Sequence, residues 1–264
     1  MIDGIMWWDM PKLSVVFLGP AGSGKTFLTW AFGRWLEDYG FLVDYVNLDP
    51  SADYLPYTPS FDVRGLVRTR DIMELEGLGP NAAIVRAIDV LVERGNVICE
   101  SLSKMSGEYI LIDTPGQMEI VVFRPSGLKL IQLVKTASKP VGVFLLDSTI
   151  GRHGTEAAIS ILLATITQLR LEIPVIPVLS KSDASGLPGG LITPNIYSEV
   201  DSIASYLHRK EPGVLSEMLA ETMNLVKKYV RSGRLIAISS LTKEGLDELY
   251  KILHEVFCAC GDLT

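Results

Sequence analysis

Six short apolar runs punctuate the chain: Leu13–Leu18 (LSVVFL), Leu42–Leu48 (LVDYVNL), Tyr109–Ile112, Val141–Leu146 (VGVFLL), Val175–Leu179 (VIPVL) and Leu235–Ile238 (LIAI). Their near-continuous apolar character predicts strands buried on both faces, as in a parallel sheet covered by helices on each side. Between them Lys25–Tyr39, Ala82–Lys104, Met118–Lys135, Thr155–Leu171 and Lys243–Val256 carry apolar residues at helical spacing. The alternation predicts an α/β fold built on a doubly wound, mostly parallel sheet. Two stretches break the rhythm. Residues 49–81 are Pro-rich (Pro50, Pro56, Pro59), which predicts loops and short helices laid over the ligand-binding edge of the sheet. Residues 184–233 open with SGLPGG and continue as two amphipathic segments, VDSIASYLHR and VLSEMLAETMNLVKKYV, which predict a helical insertion.

Composition narrows the class. With 264 residues the chain suits one α/β domain, 1–264, carrying an insertion, and 48% hydrophobic against 21% charged residues excludes disorder. A net charge of -7 supplies no global basic field, so neither nucleic acid nor an anionic membrane is an expected partner. No apolar run approaches the ~20 residues of a spanning helix, and the acidic start MIDGIMWWDMPK does not read as a signal peptide. A cytoplasmic location is expected. Trp7 and Trp8 are expected to pack on the domain. Cys99, Cys258 and Cys260 are too few for a disulfide scaffold, and Cys258-Ala-Cys260 without a second ligand pair reads as two thiols near a helix end.

The chemistry begins at Gly19-Pro20-Ala21-Gly22-Ser23-Gly24-Lys25-Thr26, between a predicted strand and a predicted helix. This is the G-x-x-x-x-G-K-[ST] phosphate loop in its required context. Glycines let successive backbone N–H groups curl toward one anion, and the following helix presents its positive end. Lys25 is then expected to bridge the β- and γ-phosphates and the Thr26 hydroxyl to be a ligand of Mg²⁺. Asp113-Thr114-Pro115-Gly116 closes the run EYILID and delivers a carboxylate to the carboxyl edge of the sheet, where ligands bind in open α/β folds. Asp113 is expected to hold Mg²⁺, through water, and the Gly116 N–H to sense the γ-phosphate.

Ser180-Lys181-Ser182-Asp183 ends another strand and fits an [NTS]KxD pattern. A carboxylate at 183 accepts from both N1–H and the exocyclic amine of guanine, which adenine cannot offer, while the Lys181 stem covers the base face. GTP is therefore expected over ATP. Ser239-Ser240-Leu241 follows the last strand, where the Ser240 N–H can meet guanine O6.

Phosphate loop, DxxG and SKSD, in this order and on these strands, resemble a GTPase. GPAGSGKT, NLDPSAD (Asn47–Asp53), Gly79-Pro80-Asn81 and DTPGQME (Asp113–Glu119) together resemble the GPN-loop GTPases, and the terminal CACGDLT is similar to archaeal members. The resemblance covers nearly the whole chain. It implies a phosphate-loop NTPase of the signal-recognition-particle and MinD superclass, built as a homodimer or pseudo-dimer. In that arrangement the Gly-Pro-Asn loop of one subunit reaches the nucleotide site of the other, which places Asn81 near the partner's γ-phosphate. It further implies Asp49, Gln117 and Glu119 as the groups that orient or accept from the attacking water, and a role in assembling large protein complexes such as RNA polymerase.

More ordinary roles stand beside these. Asn81 suits a helix cap, Asp49 a cap before Ser51, and Glu119 a solvated helix charge. Arg64, Arg68 and Arg70 read as solvated or salt-bridged rather than as arginine fingers. The chain departs from the family pattern at Phe27, expected to pack inward in place of a second Thr. It departs again at Ser180 in place of Asn and at Leu241 in place of Lys, which bear on guanine affinity and selectivity. A nucleotide-stabilised scaffold with negligible turnover and a small-molecule kinase are the competing functions.

Overall fold

The computed structural model describes residues 12–149, 154–184, 213–229 and 236–261. Seven strands, β1 (Leu13–Leu18), β2 (Val43–Asn47), β3 (Phe61–Asp62), β4 (Tyr109–Asp113), β5 (Lys139–Asp147), β6 (Val175–Ser180) and β7 (Ile236–Ile238), form one sheet in the order β3-β2-β4-β1-β5-β6-β7. Every pairing is parallel, with Val15 opposite Leu111 on one side of β1 and opposite Val141 on the other. Side chains alternate across the pleat, so each strand feeds two cores. Val16, Leu18, Val46, Ile110, Ile112 and Phe144 face one layer, and Val15, Phe17, Leu111, Val143, Leu145 and Val178 the other.

The second layer is closed by α1 (Lys25–Asp38), through Leu28, Phe32 and Leu36, and by α9 (Leu246–Gly261), through Leu246, Leu249 and Leu253. The first is closed by α3 (Pro80–Glu93), α4 (Gly95–Lys104), α5 (Met118–Phe123), α6 (Pro125–Ala137) and α7 (Gly154–Leu171). A short helix α2 (Thr69–Glu76) lies on α3 through Ile72, Ala83 and Ala87. Of the proposed insertion, α8 (Val214–Tyr229) is described; its Met223 is fully buried in the first core, whereas Met218 is exposed. The segment VDSIASYLHR, Trp7 and Trp8 lie outside the described residues, as do the side chains of Cys258 and Cys260 on α9.

Two predicted helices are in fact pairs. Ala82–Lys104 divides into α3 and α4 at Arg94, which leaves helical geometry (φ -98°, ψ 22°) and donates through Nη1 to Leu66 O at 2.7 Å. The apolar spacing runs on through the bend because both helices face the same sheet layer, so periodicity alone does not show the break. Gly95 lets α4 approach α6, since a Cβ there would lie 2.9 Å from the Leu133 methyls. Met118–Lys135 divides into α5 and α6 at Arg124-Pro125: Arg124 is extended (ψ 145°), as a residue before proline is, and Pro125 opens the next helix. Two-residue β3 is too short to carry a sequence pattern. Phe27 does not pack inward; it is 38% exposed and tilts against Trp30 at 5.2 Å, because its position on α1 points away from the sheet.

Gly127 marks where α6 crosses α5 backbone to backbone. A Cβ there would overlap the Ile120 carbonyl oxygen and lie 2.6 Å from Val121 Cα, and main-chain atoms cannot yield as a flexible side chain does. Gly127→Ala is expected to lower unfolding free energy by roughly 3 kcal/mol. An unchanged midpoint in urea denaturation would contradict this packing.

Candidate nucleotide-binding site

Parallel pairing sends the carboxyl ends of all seven strands to one edge. Successive connections run from β1 to β2 and β3 on one side, then from β5 to β6 and β7 on the other, so a crevice opens where the direction reverses beside β1. The loop after β1 sits there. Gly19, Gly22 and Gly24 adopt φ of 141°, 77° and 91°, and Gly24 is the residue from which α1 starts. At Gly19 no larger residue fits, because its Cβ would be 2.5 Å from Leu145 O on β5. Pro20, Ala21 and Gly22 are exposed while Ser23 and Lys25 are buried. Lys25 Nζ folds back over the loop and donates to Gly19 O at 2.8 Å and Pro20 O at 2.9 Å, with Gly116 O at 3.5 Å. Burial holds the ammonium below the usual lysine range, opposed by the charges of Asp113, Asp49 and Glu119. The loop is thus a set of amides and one cation awaiting an anion.

Asp113 ends β4 almost wholly buried. Burial raises its carboxyl; the Thr26 hydroxyl beside it opposes this, the nearby Asp49 adds to it, and the result is a group pushed up to about 6. Its Oδ2 accepts from the Tyr57 hydroxyl at 3.2 Å, whereas Oδ1 is buried with no hydrogen bond. A buried acceptor left open beside a threonine hydroxyl suits a hard cation that takes its other ligands from phosphate and water. Among the described residues no three or more His, Cys, Asp and Glu side chains converge as a metal site. The Thr114 hydroxyl donates to Phe17 O at 2.6 Å and locks the end of β4 to β1.

Asp49 follows β2. Its Oδ1 accepts from the Ser51 N–H at 2.8 Å and the Ser51 hydroxyl at 2.5 Å, so the turn-capping role expected of it is real. Burial nevertheless raises its carboxyl above the ordinary range, against the Ser51 bonds, the Lys25 charge and the Gly116 N–H. Asn47 steadies it: the side-chain oxygen accepts from Asp49 N–H at 3.0 Å, while the amide nitrogen donates to Asp49 O at 3.1 Å and to Asp62 Oδ1 at 2.9 Å. Arg64 is bound to Asp62 (Nη2 to Oδ2, 2.7 Å) and Arg70 to Glu74, as expected for both; Arg68 is exposed where α2 begins.

Gln117 precedes α5 and the exposed Glu119 lies in its first turn. Together with Asn81, Ala82, Val85, Arg86, Asp89, Ile120 and Arg124 they line an open groove of about 640 Å³. Asn81 is exposed at the second position of α3, after Pro80; Gly79 is the residue that precedes the helix, and no side chain caps it. The capping role considered for Asn81 is therefore not used.

The base-side elements meet the loop from β5 and β6. Lys181, at φ 58°, donates to Asp147 Oδ2 at 2.7 Å. Burial alone would raise Asp147, but the bonds from Lys181 and Thr149 outweigh it and hold the carboxyl low. Ser180, fully enclosed, donates to Ser23 O at 2.8 Å, with Leu146 O a second acceptor at 3.2 Å. It ties the phosphate loop to the base loop, so a serine here still performs a positioning duty. Asp183 stands exposed on the single turn Ser182–Ala184. Ser240 follows buried Ser239 after β7, and Leu241 is 70% exposed.

Residues 17–259 match a family model described as a conserved hypothetical ATP binding protein. The chain is 36% identical over 252 residues to GPN-loop GTPase PAB0955 of Pyrococcus abyssi, covering 95% of this chain and 99% of that one. The crystal structure of PAB0955, titled a GTPase in apo form, superposes with a TM-score of 0.84 at 34% identity, over 94% of this chain and 98% of that one. This chain belongs to the GPN-loop GTPases. It is also 30% identical over 236 residues to GPN-loop GTPase 3 of Dictyostelium discoideum, over 89% of this chain and 78% of that relative.

Three residues of this GTPase outside the motif roles, Tyr57, Thr114 and Asp147, brace the site. The run VGVFLLD carries the same signature as EYILID, an apolar strand ending in aspartate, so Asp147 was findable. Tyr57 was not, since an aromatic in a Pro-rich loop carries no distinctive spacing.

Proposed function

We propose that this GTPase hydrolyses GTP to GDP and phosphate as a homodimer, in the cytoplasm, and that turnover rearranges the two subunits to serve assembly of a larger protein complex. The observation that carries the reading is the phosphate loop, where Lys25 Nζ lies over Gly19 O and Pro20 O and within 3.5 Å of Gly116 O, one residue before Gln117 of the open groove that Asn81 and Glu119 also line. The amides of Gly19 and of Ala21–Thr26 bind the phosphates, and Gly116 N–H follows the γ-phosphate. Thr26 and, through water, Asp113 would hold Mg²⁺, which would supply positive charge to offset that of the phosphates. Lys181, Asp183 and the Ser240 N–H receive guanine. Gln117 orients the attacking water and Asp49, its carboxyl raised by burial, accepts toward it, with Glu119 adding negative charge at the groove. The Asn81 side chain is exposed and does not cap α3, which is consistent with its use by a second subunit.

Single-turnover hydrolysis tests this. Gln117→Ala is expected to slow the step on the order of 10²-fold, whereas equal rates would favour a scaffold with negligible turnover. Mixing Asn81→Ala with Gln117→Ala homodimers separates action across the interface from action within one chain. If Asn81 works across it, the mixed dimer has one intact site and activity returns; if it works within its own chain, every site stays defective and none returns.

A further inference from the structure

Tyr57 lies in the connection from β2 to β3, outside every nucleotide-binding motif, yet its hydroxyl donates to Asp113 Oδ2 at 3.2 Å. The ring is 8% exposed and stacks on Tyr45 with centroids 5.0 Å apart and planes 18° from parallel. The loop that presents it is braced at both ends. Ala52 O accepts from Arg64 Nη1 at 2.9 Å, and the Ser60 N–H donates to Tyr45 O at 2.7 Å. The hydroxyl is therefore aimed, rather than left to find whichever acceptor is nearest.

The consequence falls on the carboxylate. Rotation of an aspartate about its last torsion is broad and nearly two-fold, so the two oxygens interchange easily unless something distinguishes them. Tyr57 helps to distinguish them: its hydroxyl engages Oδ2, while Oδ1 is buried without a hydrogen bond and the Thr26 hydroxyl lies beside the carboxylate. We propose that Tyr57 is a positioning residue that fixes the Asp113 carboxylate so that Oδ1 is the oxygen offered to the hydrated Mg²⁺ of the nucleotide site. The proposal rests on Asp113 as the metal-side carboxylate, and it gives the Pro-rich segment 49–81 a task at that site as well as at the Asn81 groove.

Tyr57→Phe removes the hydroxyl and keeps the ring stacked on Tyr45. The measurement is Mn²⁺ binding to the GDP-loaded protein, read from the electron paramagnetic resonance signal of free Mn²⁺, with GDP affinity in EDTA and the melting temperature alongside. Loss of one bond to a charged acceptor is expected to weaken Mn²⁺ binding roughly tenfold while GDP affinity in EDTA stays unchanged. Unchanged Mn²⁺ affinity, with or without a lower melting temperature, would reduce Tyr57 to a packing residue and overturn the proposal. Asp113→Asn is measured in parallel. If that variant also binds Mn²⁺ normally, the assignment of Asp113 to the metal is what has failed; if it alone loses binding, the fault lies with Tyr57.

Discussion

Lys25→Ala is expected to lower GTP turnover on the order of 10²–10³-fold, the scale of removing one preorganised charge donor from a developing anion. The ammonium donates to Gly19 O and Pro20 O and lies 3.5 Å from Gly116 O. Those are neutral acceptors, and a triphosphate offers a far stronger one, so the side chain exchanges partners without moving far. Asp113, Asp49 and Glu119 surround it and favour the charged form against the burial that opposes it. Deleting the cation leaves these carboxylates facing the phosphates uncompensated, which explains why the loss exceeds one hydrogen bond. The fold is expected to survive with some loss of stability, since Lys25 is buried and its removal leaves the buried Gly19 O without this donor, while the Pro20 carbonyl lies on an exposed residue. Stopped-flow phosphate release and a thermal melt check both halves. Turnover within threefold of wild type would remove Lys25 from the mechanism.

Asp183→Asn is the second large effect. In the proposed reading the carboxylate would accept from two donors on guanine, and the amide of asparagine would turn one of those contacts into donor against donor. At about 1.5–3 kcal/mol for a hydrogen bond to a charged group, GTP affinity is expected to fall on the order of 10²-fold. Xanthosine triphosphate, with a carbonyl where guanine has its amine, is expected to gain. The side chain is exposed and outside both cores, so its replacement reads out recognition rather than stability. Lys181, already fixed to Asp147 at 2.7 Å, keeps its stem in place in the variant. Calorimetric titration with GTP, xanthosine triphosphate and ATP measures the switch. A variant that still binds GTP as wild type does would mean that guanine is read elsewhere.

The contact made by the serine at 180 is a matter of reach. Its hydroxyl spans to Ser23 O directly because β6 ends beside the phosphate loop, with Asp147 and Ser180 paired across β5 and β6. Nothing about a serine at the end of VIPVLS announces that bond. The inward orientation expected for Phe27 failed for a similar reason, since which face of α1 lies on the sheet is set by Leu28, Phe32 and Leu36 together.

The parallel sheet and the residues that follow its strands are legible in the order of amino acids alone. Buried strands must be apolar throughout, and a phosphate loop needs glycine at positions of positive φ, so both leave marks in neighbouring letters. The break at Arg124-Pro125 was equally written in the chain, though periodicity masked it. That Tyr57 meets Asp113 across 56 positions, and Ser180 meets Ser23 across 157, follows from the folded arrangement. It alone brought Asn81 to the groove of Gln117 and Glu119. Such contacts arise from strand order and loop closure, quantities that depend on the whole fold and leave no periodic trace in any local stretch.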